Sequence, residues 1–142
     1  EEFRTFFHGH TYTGNPLGAA VGLASLDIFA RDRVIEGLNA KIELLAGRLA
    51  AMAEHPHVGD IRQRGLMVGI ELVADKNTRE PFPVKRRTGH RVILAARELG
   101  AILRPLGDVI VLMPPLCITP EEMDTLCDIT LAAISRGTES AK

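Results

Sequence analysis

Apolar positions along the chain change period several times, and each change marks an element. Phe3 to Gly14 shows no helical period and is rich in Gly, Thr and His, which reads as a loop. Asn15-Pro16 then starts a helix: Asn accepts from free amide groups, and proline at the first helical position forfeits no hydrogen bond. That helix is expected to run to about Ala30. Its opening turns are dense in small residues (Gly18, Ala19, Ala20, Gly22, Ala24), so it depends on packing for its stability. A second helix is expected over Val34 to Glu54, where Ile35, Leu38, Ile42, Leu45, Leu49 and Met52 recur every three or four residues. His55-Pro56-His57 stops it, because proline disfavours helical geometry in the residue before it.

From Leu66 to Val73 the period becomes two. Leu66, Val68, Ile70 and Leu72 face one way, and Met67, Gly69, Glu71 and Val73 the other, as in a strand. Ala74 to Pro83 is a polar loop. A helix over about Lys85 to Leu99 turns Val92, Ile93, Ala96 and Leu99 inward and stops at Gly100. Two short strands, Ala101 to Arg104 and Val109 to Met113, flank the turn Pro105-Leu106-Gly107-Asp108 and suggest a hairpin. Thr119-Pro120-Glu121-Glu122 carries the signature of a capping box. The helix it opens presents Met123, Leu126, Ile129, Ala133 and Ile134, and is expected to fray over Gly137 to Lys142. The order helix, helix, strand, helix, strand, strand, helix fits an α+β fold, with helices on one face of a small, mainly antiparallel sheet.

Composition narrows the function classes. The 142 residues are 46% hydrophobic and 25% charged, ordinary for a globular domain and unlike a disordered chain. Lys+Arg 17 against Asp+Glu 18 gives a formal charge of -1, so no field for polyanions is present, and nucleic acid is not an expected partner. The small-residue apolar run Pro16 to Leu26 is too short to span a bilayer, and no basic start leads into an apolar stretch at the N-terminus. Cys117 and Cys127, ten positions apart without a CxxC pattern, suggest neither a metal site nor a disulfide framework, and suit a cytoplasmic protein. The absence of an initial Met from Glu1-Glu2-Phe3-Arg4 reads as a cut inside a longer chain.

Two positions are candidates for chemistry. Thr11, Tyr12 and Thr13 place hydroxyls ahead of a helix N-terminus, where free amides and the helix dipole favour an anion such as phosphate. Composition alone favours plain turn and cap hydrogen bonds there. Arg104 lies at the end of the apolar run Ala101-Ile102-Leu103, and its guanidinium fork suits a carboxylate. A salt bridge to an internal Asp or Glu, or simple exposure, is the competing reading. His8 and His10 form an HxH pair without a third ligand nearby, which suits loop hydrogen bonds or ring stacking better than a metal. Arg62 and Arg64 read as solvated or salt-bridging charges, with Glu71 paired to one of them. No Ser-His-Asp arrangement, dinucleotide fingerprint or Walker loop is present.

Three segments carry a resemblance: His8-Gly-His-Thr-Tyr-Thr-Gly-Asn-Pro-Leu-Gly18, Val58-Gly-Asp-Ile-Arg-Gln-Arg-Gly-Leu-Met-Val-Gly-Ile-Glu-Leu-Val73 and Leu103-Arg-Pro-Leu-Gly-Asp-Val-Ile-Val-Leu-Met-Pro-Pro-Leu116. Through them the chain resembles the class III aminotransferases, which depend on pyridoxal 5'-phosphate. The resemblance implies the C-terminal small domain of a fold type I transferase, working as a homodimer on a small-molecule amino donor and a keto acid. It implies that Thr11 contributes to the cofactor phosphate site across a dimer interface, and that Arg104 meets a substrate carboxylate. It implies residues 1–32 as a cofactor-side loop and connecting helix, 33–137 as the small domain and 138–142 as a tail. One departure stands out. The family's Schiff-base lysine belongs upstream of this segment, and Lys41, Lys76, Lys85 and Lys142 all lack the apolar strand-end setting that lowers an amine pKa. No catalytic residue is therefore expected in this chain. A stand-alone, non-catalytic α+β binding domain remains the competing class.

Overall fold

The computed structural model describes residues 8–11 and 13–139. The chain divides into two compact units, Glu1–Glu36 and Gly37–Lys142.

In the first unit, α1 spans Pro16–Arg31, and the Asn15 side chain accepts a 3.0 Å hydrogen bond from the Leu17 amide, as the sequence predicts. No residue of α1 is buried. Of the expected loop Phe3–Gly14, Phe3 to Phe7 and Tyr12 lie outside the described residues. Helix α2 (Val34–Ala53) starts just after Arg33, whose positive φ of 47° separates the two helices.

The second unit is built on a four-stranded antiparallel sheet of order β1-β2-β4-β3. The first strand, β1 (Val58–Arg64), is missing from the sequence reading, which has Arg62 and Arg64 merely leading into a strand. Its register explains why. Val58 pairs with Leu72 and Ile61 with Ile70, and an irregularity between Val58 and Asp60 puts two apolar residues three apart on one face. The bulge erases the period of two that would betray the strand. Gly59 occupies it because a Cβ there would stand 2.6 Å from Val73 Cγ1.

Strand β2 (Met67–Leu72) follows the alternation read from the sequence, with Val68, Ile70 and Leu72 buried. Val73, expected on the opposite face, is buried as well, because it lies beyond the strand end and closes over Gly59. In the polar loop, Asp75 Oδ1 accepts from the amides of Asn77 (2.7 Å) and Thr78 (3.0 Å). Those bonds hold the Asp75 carboxyl below its ordinary range.

The helix expected from Lys85 is interrupted. A 3-10 turn covers Val84–Arg86, Arg87 takes a φ of 52°, and α3 runs over Thr88–Glu98. The break lets Arg86 lie over the Phe82 ring at 4.7 Å and donate to the carbonyl oxygens of Thr138 and Glu139. It also delivers the Gly89 amide to Asp108 Oδ1 at 2.8 Å.

Strand β3 is Arg104–Leu106 rather than Ala101 to Arg104, and β4 is Val109–Leu112. Leu106 pairs with Val109, so the turn is the two residues Gly107 and Asp108, with Gly107 at a φ of 60°. Pro105 is tolerated because β3 is an edge strand and needs no second ladder partner. Helix α4 (Pro120–Thr138) opens with the full capping box of Thr119 and Glu122. It does not fray from Gly137 as expected: Gly137 and Thr138 are buried, and a Cβ at Gly137 would meet Val92 Cγ2 at 2.4 Å.

The core lies on one face of the sheet. Val68, Ile70, Leu72, Ile110 and Leu112 meet Leu45, Leu49 and Met52 of α2, Val92 and Ala96 of α3, and Met123, Cys127 and Ile134 of α4. No described helix is long and apolar enough to cross a membrane.

His55 fastens the α2–β1 corner to α4. Its Nδ1 accepts the His57 amide at 3.2 Å, which leaves the ring proton on Nε2, facing Ser135 Oγ at 3.2 Å. Burial, with help from His57 and Lys76, holds the His55 imidazole below its ordinary pKa of 6.5. A folded-state pKa below the unfolded one means the folded form resists protonation, so this contribution is complete above pH 6.5 and is lost as pH falls through the depressed value. Denaturant midpoints are therefore expected to drop from pH 7.5 to pH 5.5, and to drop less in His55→Gln. Equal pH slopes for the two proteins would remove His55 from this role.

Candidate functional site

One-sided packing within this unit leaves the second face of the sheet without a helix of the unit over it, and the alternate residues of each strand emerge there. Pairing aligns them in rows across the strands. Arg62 of β1 pairs with Gly69 of β2, Gly69 with Val111 of β4, and Val111 with Arg104 of β3. The adjacent row is Asp60, Glu71, Val109 and Leu106. Arg62, Gly69, Val111, Arg104, Val109 and Leu106 of these rows, together with Arg64, Met67 and Met113, line a groove of about 700 Å³.

The two terminal cations of the first row differ in their surroundings. Arg62 Nη1 donates to Glu71 Oε2 at 2.9 Å and to Asp60 Oδ2 at 2.7 Å, which raises its pKa above the ordinary arginine value. Glu71 is thus paired as the sequence suggests, and Asp60 is a second partner hidden by the missed strand. Arg104 is exposed and makes no ion pair or hydrogen bond with the described residues. Its backbone is nevertheless held: β3 is hydrogen-bonded to β4, and Asp108 in the connecting turn accepts from Gly89 of α3. The result is a guanidinium fork on a held backbone beside an apolar floor, without a counter-ion among the described residues, which suits an anionic ligand such as a carboxylate.

Thr11 lies in a turn of the first unit and is exposed, and its hydroxyl has no hydrogen-bond partner among the described residues. Thr13 does form turn bonds: its Oγ1 accepts from the His10 amide at 2.7 Å, and its own amide donates to the His10 carbonyl at 2.9 Å. His8 and His10 face each other, with their Nε2 atoms 2.7 Å apart and the rings edge to face. No group of three metal-ligating residues occurs among the described residues.

The described lysines are engaged elsewhere or exposed. Lys41 Nζ donates to the Leu116 carbonyl at 2.7 Å, Lys76 Nζ donates to the Ala53 carbonyl, and Lys85 is exposed. None lines the groove, and Lys142 lies outside the described residues. Met67, Gly69, Val109 and Val111 are among the lining residues whose types carry no chemical signal in the sequence. A positional signal for two of them is present, since the alternation of β2 already puts Met67 and Gly69 on the face away from the core.

A small antiparallel sheet with helices on one face carries, on the other, an arginine without an ion pair among the described residues. The sequence matches the family described as Aminotransferase class-III over residues 1–134, and the chain belongs to that family. The adenosylmethionine-8-amino-7-oxononanoate aminotransferase of Nitratidesulfovibrio vulgaris is 58% identical over 138 residues, a match that covers 97% of this chain and 26% of that protein. The crystal structure of the enzyme of that name from Methanocaldococcus jannaschii superimposes with a TM-score of 0.86 at 49% identity, covering 92% of this chain and 30% of that one. An (S)-enantioselective omega-transaminase from Thermomicrobium roseum reaches a TM-score of 0.88 at 38% identity, with 97% and 31% covered. The chain thus spans less than a third of the length of each of these relatives.

Because Arg104 has no partner among the described residues, Arg104→Gln is expected to change unfolding free energy by less than about 0.5 kcal/mol in denaturant titrations. A loss beyond about 1 kcal/mol would make Arg104 a structural residue instead.

Proposed function

We propose that this chain is the C-terminal part of a pyridoxal-phosphate-dependent aminotransferase that converts 8-amino-7-oxononanoate to 7,8-diaminononanoate in biotin biosynthesis. The observation that carries the reading is the pairing of 58% identity to an enzyme of that name with an arginine left without a counter-ion on the open sheet face. On this reading residues 1–32 lead from a large domain, 33–137 form the small domain and 138–142 are a tail. The full-length enzyme is a cytoplasmic homodimer acting on small molecules.

The residues described here fit part of the cofactor site and not all of it. Thr11, whose hydroxyl has no partner among the described residues and lies ahead of α1 in the chain, supplies a phosphate contact. None of the described lysines has a setting that makes it the cofactor's partner, so the reading assigns that lysine to the rest of the protein. The bound cofactor carries the amino group and acts as the electron sink. This chain's own part is recognition. Arg104 binds the acceptor carboxylate through its fork, and the apolar floor of Val109 and Val111 excludes water from beside it. The fixed backbone of β3 sets where the rest of the acceptor reaches.

A second reading, an omega-aminotransferase with another acceptor, is favoured by the T. roseum structure. Assay of the full-length protein with 8-amino-7-oxononanoate, using adenosylmethionine or lysine as donor, decides between the two. Turnover supports the first reading, and turnover confined to other keto acids supports the second.

In the full-length enzyme, Arg104→Ala is expected to raise KM for the keto acid by about 10- to 100-fold, the worth of a charge-assisted hydrogen-bonded pair, with a smaller effect on kcat. A loss confined to kcat would contradict the carboxylate role. Thr11→Val is expected to weaken cofactor retention, read as faster loss of the cofactor's visible absorbance on dialysis. Unchanged retention would take Thr11 out of the phosphate site.

A further inference from the structure

Most glycines in the second unit have a reason internal to the fold. Gly65, Gly100 and Gly107 adopt positive φ. Gly59, Gly89 and Gly137 lie where a Cβ would come within 2.6 Å of a neighbouring atom. Gly69 has neither reason. Its φ is not positive, and a Cβ built on it would meet only Val109 Cγ1, at an ordinary 3.4 Å. A glycine inside a strand weakens the strand and normally marks a bulge or the close approach of something from outside. The pairing of β2 with its neighbours is regular at this position, so no bulge is involved.

The place of Gly69 on the sheet shows what it leaves room for. It faces the open side, in the same row as Arg104, with Val111 between them. Two strand spacings separate Gly69 from Arg104, roughly 10 Å. On the far side of Gly69 the row ends at Arg62, which Asp60 and Glu71 already neutralise. The uncompensated positive charge in the row is therefore at the Arg104 end, and the floor leading away from it is apolar and then bare.

We propose that Gly69 is a specificity-determining residue: it leaves an unobstructed track across β4 and β2 for the extended aliphatic chain of an acceptor whose carboxylate is held by Arg104. This rests on the reading of Arg104 given above and adds what that reading lacks, a position that discriminates by chain length. A side chain at Gly69 would rise from the floor about two strands from the anchored carboxylate. It would obstruct acceptors long enough to reach β2 and clear shorter ones.

The test uses the full-length enzyme and a series of ω-carboxylated keto acids of increasing chain length. Gly69→Ala and Gly69→Val are expected to lower the ratio of kcat/KM for long over short acceptors, by about tenfold or more for valine and by less for alanine. Melting temperatures are expected to hold or rise, because the site accepts a Cβ and strands favour β-branched residues. An unchanged ratio overturns the proposal. So does a fall in melting temperature with equal losses for all acceptors, which would show that protein backbone rather than substrate covers the glycine. Arg104→Ala assayed in parallel keeps the two ideas apart. If it leaves KM for long acceptors unchanged, the carboxylate reading fails. If it raises KM while the Gly69 variants keep the wild-type ratio, only the present proposal fails.

Discussion

Burial of the sheet on a single face is the constraint from which the rest of the second unit follows. Three helices compete for that face, and α2, α3 and α4 fill it with Leu45, Leu49, Met52, Val92, Ala96, Met123, Cys127 and Ile134. Successive residues of a strand point to opposite sides, so each side chain committed to this core sends its neighbour to the other face. Val68 and Ile70 in the core put Gly69 on the open side, and Ile110 and Leu112 do the same for Val111. Arg104 owes its position to the same rule through its pairing with Val111. The chemistry-bearing face is the complement of the hydrophobic one, and neither could be re-registered alone.

The electrostatics of that face are uneven in a purposeful way. Arg62 is satisfied by two carboxylates on its own and the adjacent strand, whereas Arg104 ends an edge strand with no acid opposite it. In water an exposed ion pair such as that of Arg62 adds little to stability. Its effect is to remove one competing cation from the groove, so that Arg104 at the β3 edge faces an incoming anion without competition from its own row. Arg64 lines the same groove from the opposite edge strand, and has no ion pair among the described residues.

Much of this fold can be read from the sequence wherever the local signal and the tertiary outcome agree. Asn15-Pro16 and the Thr119–Glu122 box set helix starts through local hydrogen bonds alone, and the strict alternation of β2 survives in the structure. The failures have physical causes of longer range. A bulge at Gly59 hides β1, and with it Asp60 as a partner of Arg62. The break at Arg87 answers to Asp108 and to the end of α4, each far away in sequence. Gly137 looks like a helix terminator until α3 is packed against it. At the site, the fork chemistry of Arg104 is legible from its residue type, but its lack of a counter-ion depends on which strands flank it. The floor of the groove needs the order β1-β2-β4-β3, which pairs β2 with β4 across the intervening helix.

The meeting of Gly89 with the β3–β4 turn has an effect beyond tight packing. Main chain touches main chain there: a Cβ on Gly89 would come within 2.2 Å of the Gly107 carbonyl oxygen, and the Gly89 amide is bonded to Asp108. With no side chain on Gly89 and the Asp108 carboxylate bonded to its amide, the helix start and the hairpin tip are held close together. The Arg104 backbone, two residues from Leu106 at the hairpin turn, takes its place from this contact and from pairing with β4. The hairpin that carries Arg104 is in this way anchored to a helix on the opposite side of the sheet from the groove.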